Sequence, residues 1–340
     1  MVAKLNNIPL VSIIMPVYNV ENFVEQSLAS VFAQKNQNYE LIIIVDGSTD
    51  NSRQLISRIV AKKNNLNIQI IETENKGLSA ARNRGILESH GKYIFFFDSD
   101  DYLDQNFLST IVPIIENGKE DVILFNYREV EQEGMKVIDE HINTFCGELS
   151  SEFIIDKYLA GKVQNYAWSF IAKKEIYINN NIIFPEGKAY EDVMVFPKII
   201  FFARHISVIS EILYNYRRRK NSITSETNNN KTVKYLHDYL VNIQENKIWM
   251  LQNFNKKNRK NIYRYCLNHL FQIFMIASTH KTIEYQSMAP VVNEIIEIER
   301  IGNIKKISLK KRIIIFLMKM GLGSLVFKLI QFKVILQKNK

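Results

Sequence analysis

Residues 93–101 read Tyr93-Ile94-Phe95-Phe96-Phe97-Asp98-Ser99-Asp100-Asp101. The first five are all apolar or aromatic, the pattern of a strand covered on both faces, as in the middle of a parallel sheet. Three carboxylates then fall within four positions. Crowding like charges raises the cost of ionising each of them unless a cation neutralises the group. Ligands of open α/β sheets bind beyond the carboxyl ends of the strands. The stretch therefore predicts a divalent-metal site at a sheet edge.

Working outward, strand and helix signals alternate. Val11 to Pro16 reads as a strand closed by proline, and Glu21 to Phe32 has helical apolar spacing. Leu41 to Val45 is a second buried strand, followed by the turn Asp46-Gly47-Ser48-Thr49-Asp50, with Asp50 or Ser52 placed to cap the next helix. Ile68 to Ile71 is a strand, Leu78 to Glu88 a helix, and Val122 to Tyr127 a further strand. Strands separated by helices of this length imply right-handed crossovers. The expected fold is α/β, Rossmann-like, with a mostly parallel central sheet flanked by helices. Residues 226–300 carry helical periodicity with few glycines, preceded by a polar linker at Thr227 to Lys231.

The 340-residue chain has a net charge of +9, and residues 301–340 hold nine lysines, Arg312 and no acid. That tail alone carries +10, leaving residues 1–300 near −1. A basic body would suggest nucleic acid along a whole face; a basic tail does not, and no nucleic-acid partner is expected. Ile, Leu and Phe alternate with lysine over 304–336. No uncharged run approaches the ~20 residues that span a bilayer. The pattern fits helices lying in an anionic membrane interface, with docking on the protein's own core as the other reading. Cys146 and Cys266 lack metal-ligand spacing and read as free thiols of a reducing compartment. Met1 to Pro9 has no apolar run of the secretory kind.

Four segments converge on one edge of the expected sheet. In Met15-Pro16-Val17-Tyr18-Asn19, a tyrosine is placed to stack on a base. In Val45-Asp46-Gly47-Ser48-Thr49-Asp50, a strand-end carboxylate can accept from a nucleobase imide. Glu74 to Gly85 opens a helix whose N-terminus and cations, Lys76 and Arg82 among them, suit phosphate. The acidic cluster at Asp98 to Asp101 is the fourth. In order and spacing, "VSIIMPVYN", "IIIVDGSTDNS", "ENKGLSAARNRG" and "FFFDSDDYL" resemble the family 2 glycosyltransferases, which have the nucleotide-sugar-binding GT-A fold. The resemblance runs from about Val11 to Thr224. One departure is Val45, where members often carry a second acidic or amide residue.

The resemblance implies roles residue by residue. Pro16, Tyr18, Asp46, Lys76, Arg82, Asp98 and Ser99 would bind a nucleotide-sugar donor, with Asp46 reading uracil. Asp98-Ser99-Asp100 matches the family's D-x-D motif. Asp100 would coordinate Mn²⁺ or Mg²⁺, while Asp98 faces the ribose or a metal-bound water. In Tyr190-Glu191-Asp192-Val193, ahead of an apolar helix, Asp192 would be the general base and Glu191 an acceptor-binding residue. Arg217 and Arg219, in the basic run Tyr216 to Thr224, would close over the diphosphate. From the sequence itself, Trp168 is placed either to stack on an acceptor sugar or to lie in the core. The implied activity is inverting, metal-dependent transfer of a hexose or N-acetylhexosamine from a UDP donor to a saccharide or lipid-linked saccharide, giving a β-glycoside. Its setting would be capsule, lipopolysaccharide or other surface polysaccharide synthesis, at the inner face of the cell membrane. The implied domains are a GT-A domain over 1–225 (nucleotide half about 9–104, acceptor half about 105–225), a helical segment over 226–300 and the tail. A nucleotidyltransferase and a non-catalytic nucleotide- or glycan-binding member are the alternatives.

Overall fold

The computed structural model describes residues 8–63, 67–133, 136–219, 229–280, 283–302, 304 and 307–338. Residues 220–224 of the basic run, 227–228 of the expected linker and 305–306 of the tail lie outside them. The chain divides into two compact units.

The first unit comprises Met1–Ile155, Val163–Gly187 and Val195–Lys220. Its strands are β1 (Val11–Val17), β2 (Tyr39–Asp46), β3 (Ile68–Thr73), β4 (Tyr93–Phe96), β5 (Tyr102–Leu103), β6 (Val122–Val130), β7 (Val137–His141), β8 (Gly147–Ser150), β9 (Phe170–Lys173) and β10 (His205–Arg217). They form one sheet in the order β3-β2-β1-β4-β9-β6-β10-β5, with β7 on β6 and β8 on β10. From β3 to β4 the pairing is parallel, as the crossover helices α1 (Val24–Phe32), α2 (Ser52–Val60) and α3 (Leu78–Glu88) require. Beyond β4 the sheet is mixed: β9 runs antiparallel to both β4 and β6, and β10 returns parallel to β6. β1, β2 and β4 are buried along their whole length, as their continuous apolar runs demand, while the edge strand β3 is only partly covered. Helix α1 starts at Val24 rather than Glu21, because the Glu21 N–H is taken by Asp50 Oδ2 at 2.9 Å. Asp50 also accepts the Ser52 N–H at 2.9 Å, but the N-cap of α2 is Asn51, whose side chain makes no capping bond, so neither residue expected to cap the helix does so.

Helix α3 packs on β1 through Gly85, where an added Cβ would meet Ile14 Cγ2 at 2.2 Å. This close approach presses the helix carrying Arg82 onto the face of the sheet.

The second unit comprises Asp156–Lys162, Lys188–Met194 and Asn221–Lys340. It is built from α8 (Asn229–Asn253), α9 (Arg259–Thr279), α10 (Ala289–Gly302), α11 (Leu309–Lys319) and α12 (Gly323–Lys338). The remaining helices, in chain order, are α4 (Phe107–Glu116), α5 (Ser151–Leu159), α6 (Lys174–Asn179) and α7 (Asp192–Phe202). Helix α9 is the centre of this unit, with Cys266, Leu267, Leu270, Ile273, Phe274 and Ala277 fully buried. Lys247 of α8 pairs with Glu294 of α10 at 2.5 Å. Phe274 of α9 packs edge-on against Phe327 of α12 at 5.4 Å, and a Cβ on Gly323 would collide with the Tyr285 hydroxyl at 2.1 Å. His269 of α9 lies 2.5 Å from the Tyr239 hydroxyl and against the Tyr265 ring.

Two outcomes follow. Gly85→Ala gains about 1 kcal/mol of helix propensity but overpacks Ile14 at a cost of about 1–3 kcal/mol, so chemical denaturation should show a net loss of stability. Burial, with Lys311 adding to it, pushes the His269 imidazole down to about 4 from 6.5. The unfolded chain takes up that proton and the folded chain does not, so the contribution is complete above about pH 6.5 and lost as pH falls toward 4. The thermal midpoint should drop across that window by the equivalent of about 3 kcal/mol, and His269→Gln should flatten the drop.

Candidate active site

The carboxyl ends of β1 and β2 are stitched together by short polar side chains. Asn19, in the left-handed region at φ 51°, accepts the Thr49 N–H at 2.8 Å, and Ser52 Oγ accepts the Val20 N–H at 2.8 Å. Pro16 is buried within β1, whereas Tyr18 just past its end is 49% exposed. Asp46 ends β2 and reaches across to the start of α3. Its Oδ1 accepts from the Lys76 N–H at 2.9 Å and the Thr73 hydroxyl at 3.1 Å, and its Oδ2 from the Gly77 N–H at 2.7 Å. The carboxylate thus satisfies amides at the helix N-terminus. Gly47 (φ +63°) lets this happen: a Cβ there would lie 2.7 Å from the Asn75 nitrogen. The Lys76 side chain is exposed.

Past β4, each of the three aspartates has its own partner. Asp98 Oδ1 pairs with Arg82 Nη2 at 3.2 Å, and the buried Arg82 guanidinium lies over the Phe184 ring at 5.3 Å. Asp100 pairs with Arg219. Asp101 points inward, accepting the Tyr214 hydroxyl at 2.7 Å and the Arg217 N–H at 2.7 Å. The same Tyr214 oxygen accepts the Asp98 N–H at 3.3 Å. Ser27 Oγ sits 2.8 Å from the Ser99 carbonyl and 2.5 Å from that of Asp101. Burial holds the Asp101 carboxyl well above the usual carboxylate range, with Asp100 and Asp98 adding to the rise. Burial raises Asp100 as well, against the pull of Arg219.

Alternation along the chain separates the arginines that end β10. Arg217 and Arg219 both lie over the Phe23 ring, at 5.2 and 5.7 Å, while Arg218 goes to Glu129. Arg217 is buried, with Nε on the Asp100 carbonyl at 2.7 Å and Nη2 on Gln26 Oε1 at 2.6 Å. Trp168 is only 3% exposed, stacked between neighbours: Tyr214 at 4.4 Å and Tyr166 at 4.8 Å. The solvent-facing ring of this stack is Tyr166, 40% exposed. Trp168 sits beside the acid loop because β9 follows it and pairs with β4, Phe95 opposite Ile171.

In the second unit, Glu191 is buried and Asp192 opens α7. Tyr190 takes a left-handed conformation (φ 57°) and stacks on Tyr239 at 4.3 Å. Asn242 Nδ2 donates to the Ala189 and Tyr190 carbonyls at 2.9 and 3.1 Å, and Asn246 Nδ2 to the Val193 carbonyl at 2.7 Å. These two fully buried asparagines, four residues apart on α8, hold the backbone on either side of the acid pair and were not singled out from the sequence, where α8 is rich in polar residues and nothing marks these two amides as buried. Tyr214, Ser27 and Gln26 had no such signal, since their partners are 72–191 positions away.

Among the described residues, no three His, Cys, Asp or Glu side chains form a ready-made cation cage. The chemistry of Asp98 and Asp100 nevertheless fits Mg²⁺ or Mn²⁺. Such ions are commonly held by one or two carboxylates with substrate phosphates completing the shell.

A parallel sheet edge with an acid at β2, a helix N-terminus at α3 and an acid pair after β4 is the layout of a GT-A domain. The crystal structure of Staphylococcus aureus TarS 1–349 superposes with a TM-score of 0.72 at 19% identity, covering 97% of this chain and 92% of that one. A crystal structure of that protein in complex with UDP-GlcNAc matches with the same TM-score. The sequence model of glycosyl transferase family 2 matches residues 12–179. Glycosyltransferase GlyG of Streptococcus pneumoniae is 31% identical over 63% of this chain and 72% of its own length. The chain belongs to glycosyl transferase family 2. Glycosyltransferase GlyA of the same organism is 30% identical over 75% of this chain, which spans only 36% of GlyA. The minor teichoic acid biosynthesis protein GgaA of Bacillus subtilis is 29% identical over 79% of this chain and 55% of its own length.

Tyr214→Phe removes the hydroxyl shared by Asp101 and the Asp98 N–H and leaves a buried acid under-satisfied. Thermal or chemical unfolding should register a loss of about 1–3 kcal/mol.

Proposed function

We propose that this protein is an inverting glycosyltransferase that moves a sugar from a UDP-linked donor to a saccharide hydroxyl, forming a β-glycosidic bond. The observation that carries the reading is the grouping of Asp46, the N-terminus of α3 and the Asp98–Asp100 pair on one sheet edge. UDP-hexose or UDP-N-acetylhexosamine is the proposed donor class, supported by the UDP-GlcNAc complex of TarS. Tyr18 and Asp46 serve the base, Asp98 and Ser99 the ribose, and Lys76 with Arg82 the phosphates. Arg219, drawn off Asp100, and the Arg217 segment complete the diphosphate pocket. Asp100 and Asp98 would hold Mg²⁺ or Mn²⁺, which when bound stabilises charge on the departing diphosphate. In one displacement the acceptor oxygen bonds to the anomeric carbon as that carbon's bond to the diphosphate oxygen breaks. Asp192 takes the hydroxyl proton, since a sugar hydroxyl is a poor nucleophile until a base removes it. Glu191 binds the acceptor. An oxocarbenium-like transition state and a single base give inversion.

The acceptor contact assigned to Trp168 passes to Tyr166, the exposed ring of the same stack. The acceptor class proposed is a lipid-linked saccharide of surface-polymer synthesis, reached at the anionic inner leaflet of the cell membrane. The relationship to GgaA supports that setting. No described helix is long and apolar enough to cross a membrane, and the tail is the element proposed to meet the lipid surface.

Asp192→Asn should lower transfer, read as UDP release with an acceptor present, by about 10²–10⁴-fold, the usual contribution of a general base. UDP binding should stay within about twofold of wild type, read from the ligand-induced thermal shift. Turnover at the wild-type rate would exclude Asp192 as the base.

A further inference from the structure

Helices α11 and α12 each have two apolar faces. The inward one is spent inside the second unit: Ile314, Ile315 and Met318 of α11, and Val326 and Phe327 of α12, are buried. Lys319 ties α11 to Glu299 at 2.6 Å, and Gln331 Nε2 ties α12 to the His280 carbonyl at 3.0 Å. The outward faces carry Leu309, Ile313 and Phe316 on α11 and Leu325, Leu329 and Phe332 on α12, every one at least 50% exposed. The spacing is the same on both helices, i, i+4 and i+7, which aligns each set along one stripe. Large apolar side chains grouped in this way mark an interaction surface.

We infer that the outward faces of α11 and α12 form a two-helix membrane-docking surface, seated in the headgroup–acyl boundary of an anionic bilayer. Charge selects this occupant. Residues 301–340 contain no acid and carry +10, and Lys310, Arg312, Lys328 and Lys333 are exposed around the two stripes. A second copy of the chain would bring one such tail against another, with like charges opposed at the contact. Phosphate headgroups complement the cations while the acyl region takes the apolar stripes. The inward face answers the other sequence reading: the helices dock on their own unit and still leave a complete amphipathic surface outside. The unit therefore offers a docking face that is already folded and not a segment that must fold on lipid. The inference deepens the membrane reading proposed above and is independent of the transfer chemistry.

Flotation of the full chain with vesicles tests it. The protein should float with phosphatidylcholine vesicles containing roughly a third phosphatidylglycerol, bind neutral vesicles at least tenfold more weakly, and release from the anionic ones in high salt. Phe316→Ser with Phe332→Ser should weaken anionic-vesicle binding at least tenfold while circular dichroism and the UDP-induced thermal shift stay unchanged. Should that variant fail to fold, hydrogen exchange on the wild-type chain decides: vesicles should slow amides within 309–333. Wild-type protein that ignores anionic vesicles, or a folded double variant that binds them equally well, overturns the inference. So does sedimentation showing self-association that the double variant abolishes without any vesicle binding. Sugar transfer to a soluble acceptor without vesicle binding would sink this inference alone; vesicle binding without any transfer would sink the enzymatic reading alone.

Discussion

Three carboxylates within four residues are tolerable only because each is given a different partner, and that division of partners organises the first unit. Asp101 is turned into the core and held by the Tyr214 hydroxyl and the Arg217 N–H, both from β10. Asp98 leans on Arg82 of α3, and Asp100 on Arg219 past the end of β10. Removing either arginine leaves a carboxylate beside other acids in a poorly hydrated place, where an unpaired ion costs far more than a paired one contributes. The antiparallel pairing of β5 with β10, Leu103 opposite Tyr214, fixes the loop at its far end. The acid cluster is thus rigid below and faces cations above.

The arrangement suits a ligand that is itself an anion. Arginine side chains pair with Asp98 and Asp100, while Asp101 is held by a hydroxyl and a backbone N–H. Asp46 plays a different part, since both of its oxygens already serve the amides and the hydroxyl around the start of α3. Its first consequence is structural, because it aims the helix N-terminus at the sheet edge.

The parallel half of the sheet was legible because continuous apolar runs such as Leu41 to Val45 and Tyr93 to Phe97 leave no exposed face, and because each ends in residues with polar work to do. The reversal at β9 was not legible: its antiparallel pairing with β4 depends on a long connection after β6 whose path no local pattern encodes. Trp168 shows the same limit. An aromatic residue beside the acid loop reads equally as core or platform, and only the register of β9 and the ring of Tyr214 bury it while leaving Tyr166 exposed. The tail posed a choice between docking inward and facing lipid. Its residues repeat on two stripes of each helix, and a one-stripe reading could assign them only one way.

The most direct test of the account is hydrogen exchange of the full chain with and without UDP-GlcNAc and Mn²⁺. Slowed exchange is expected in three separate segments, 46–50, 74–80 and 98–102, which share nothing but the sheet edge. Unchanged exchange in all three, with slowing confined to other parts of the chain, would contradict it.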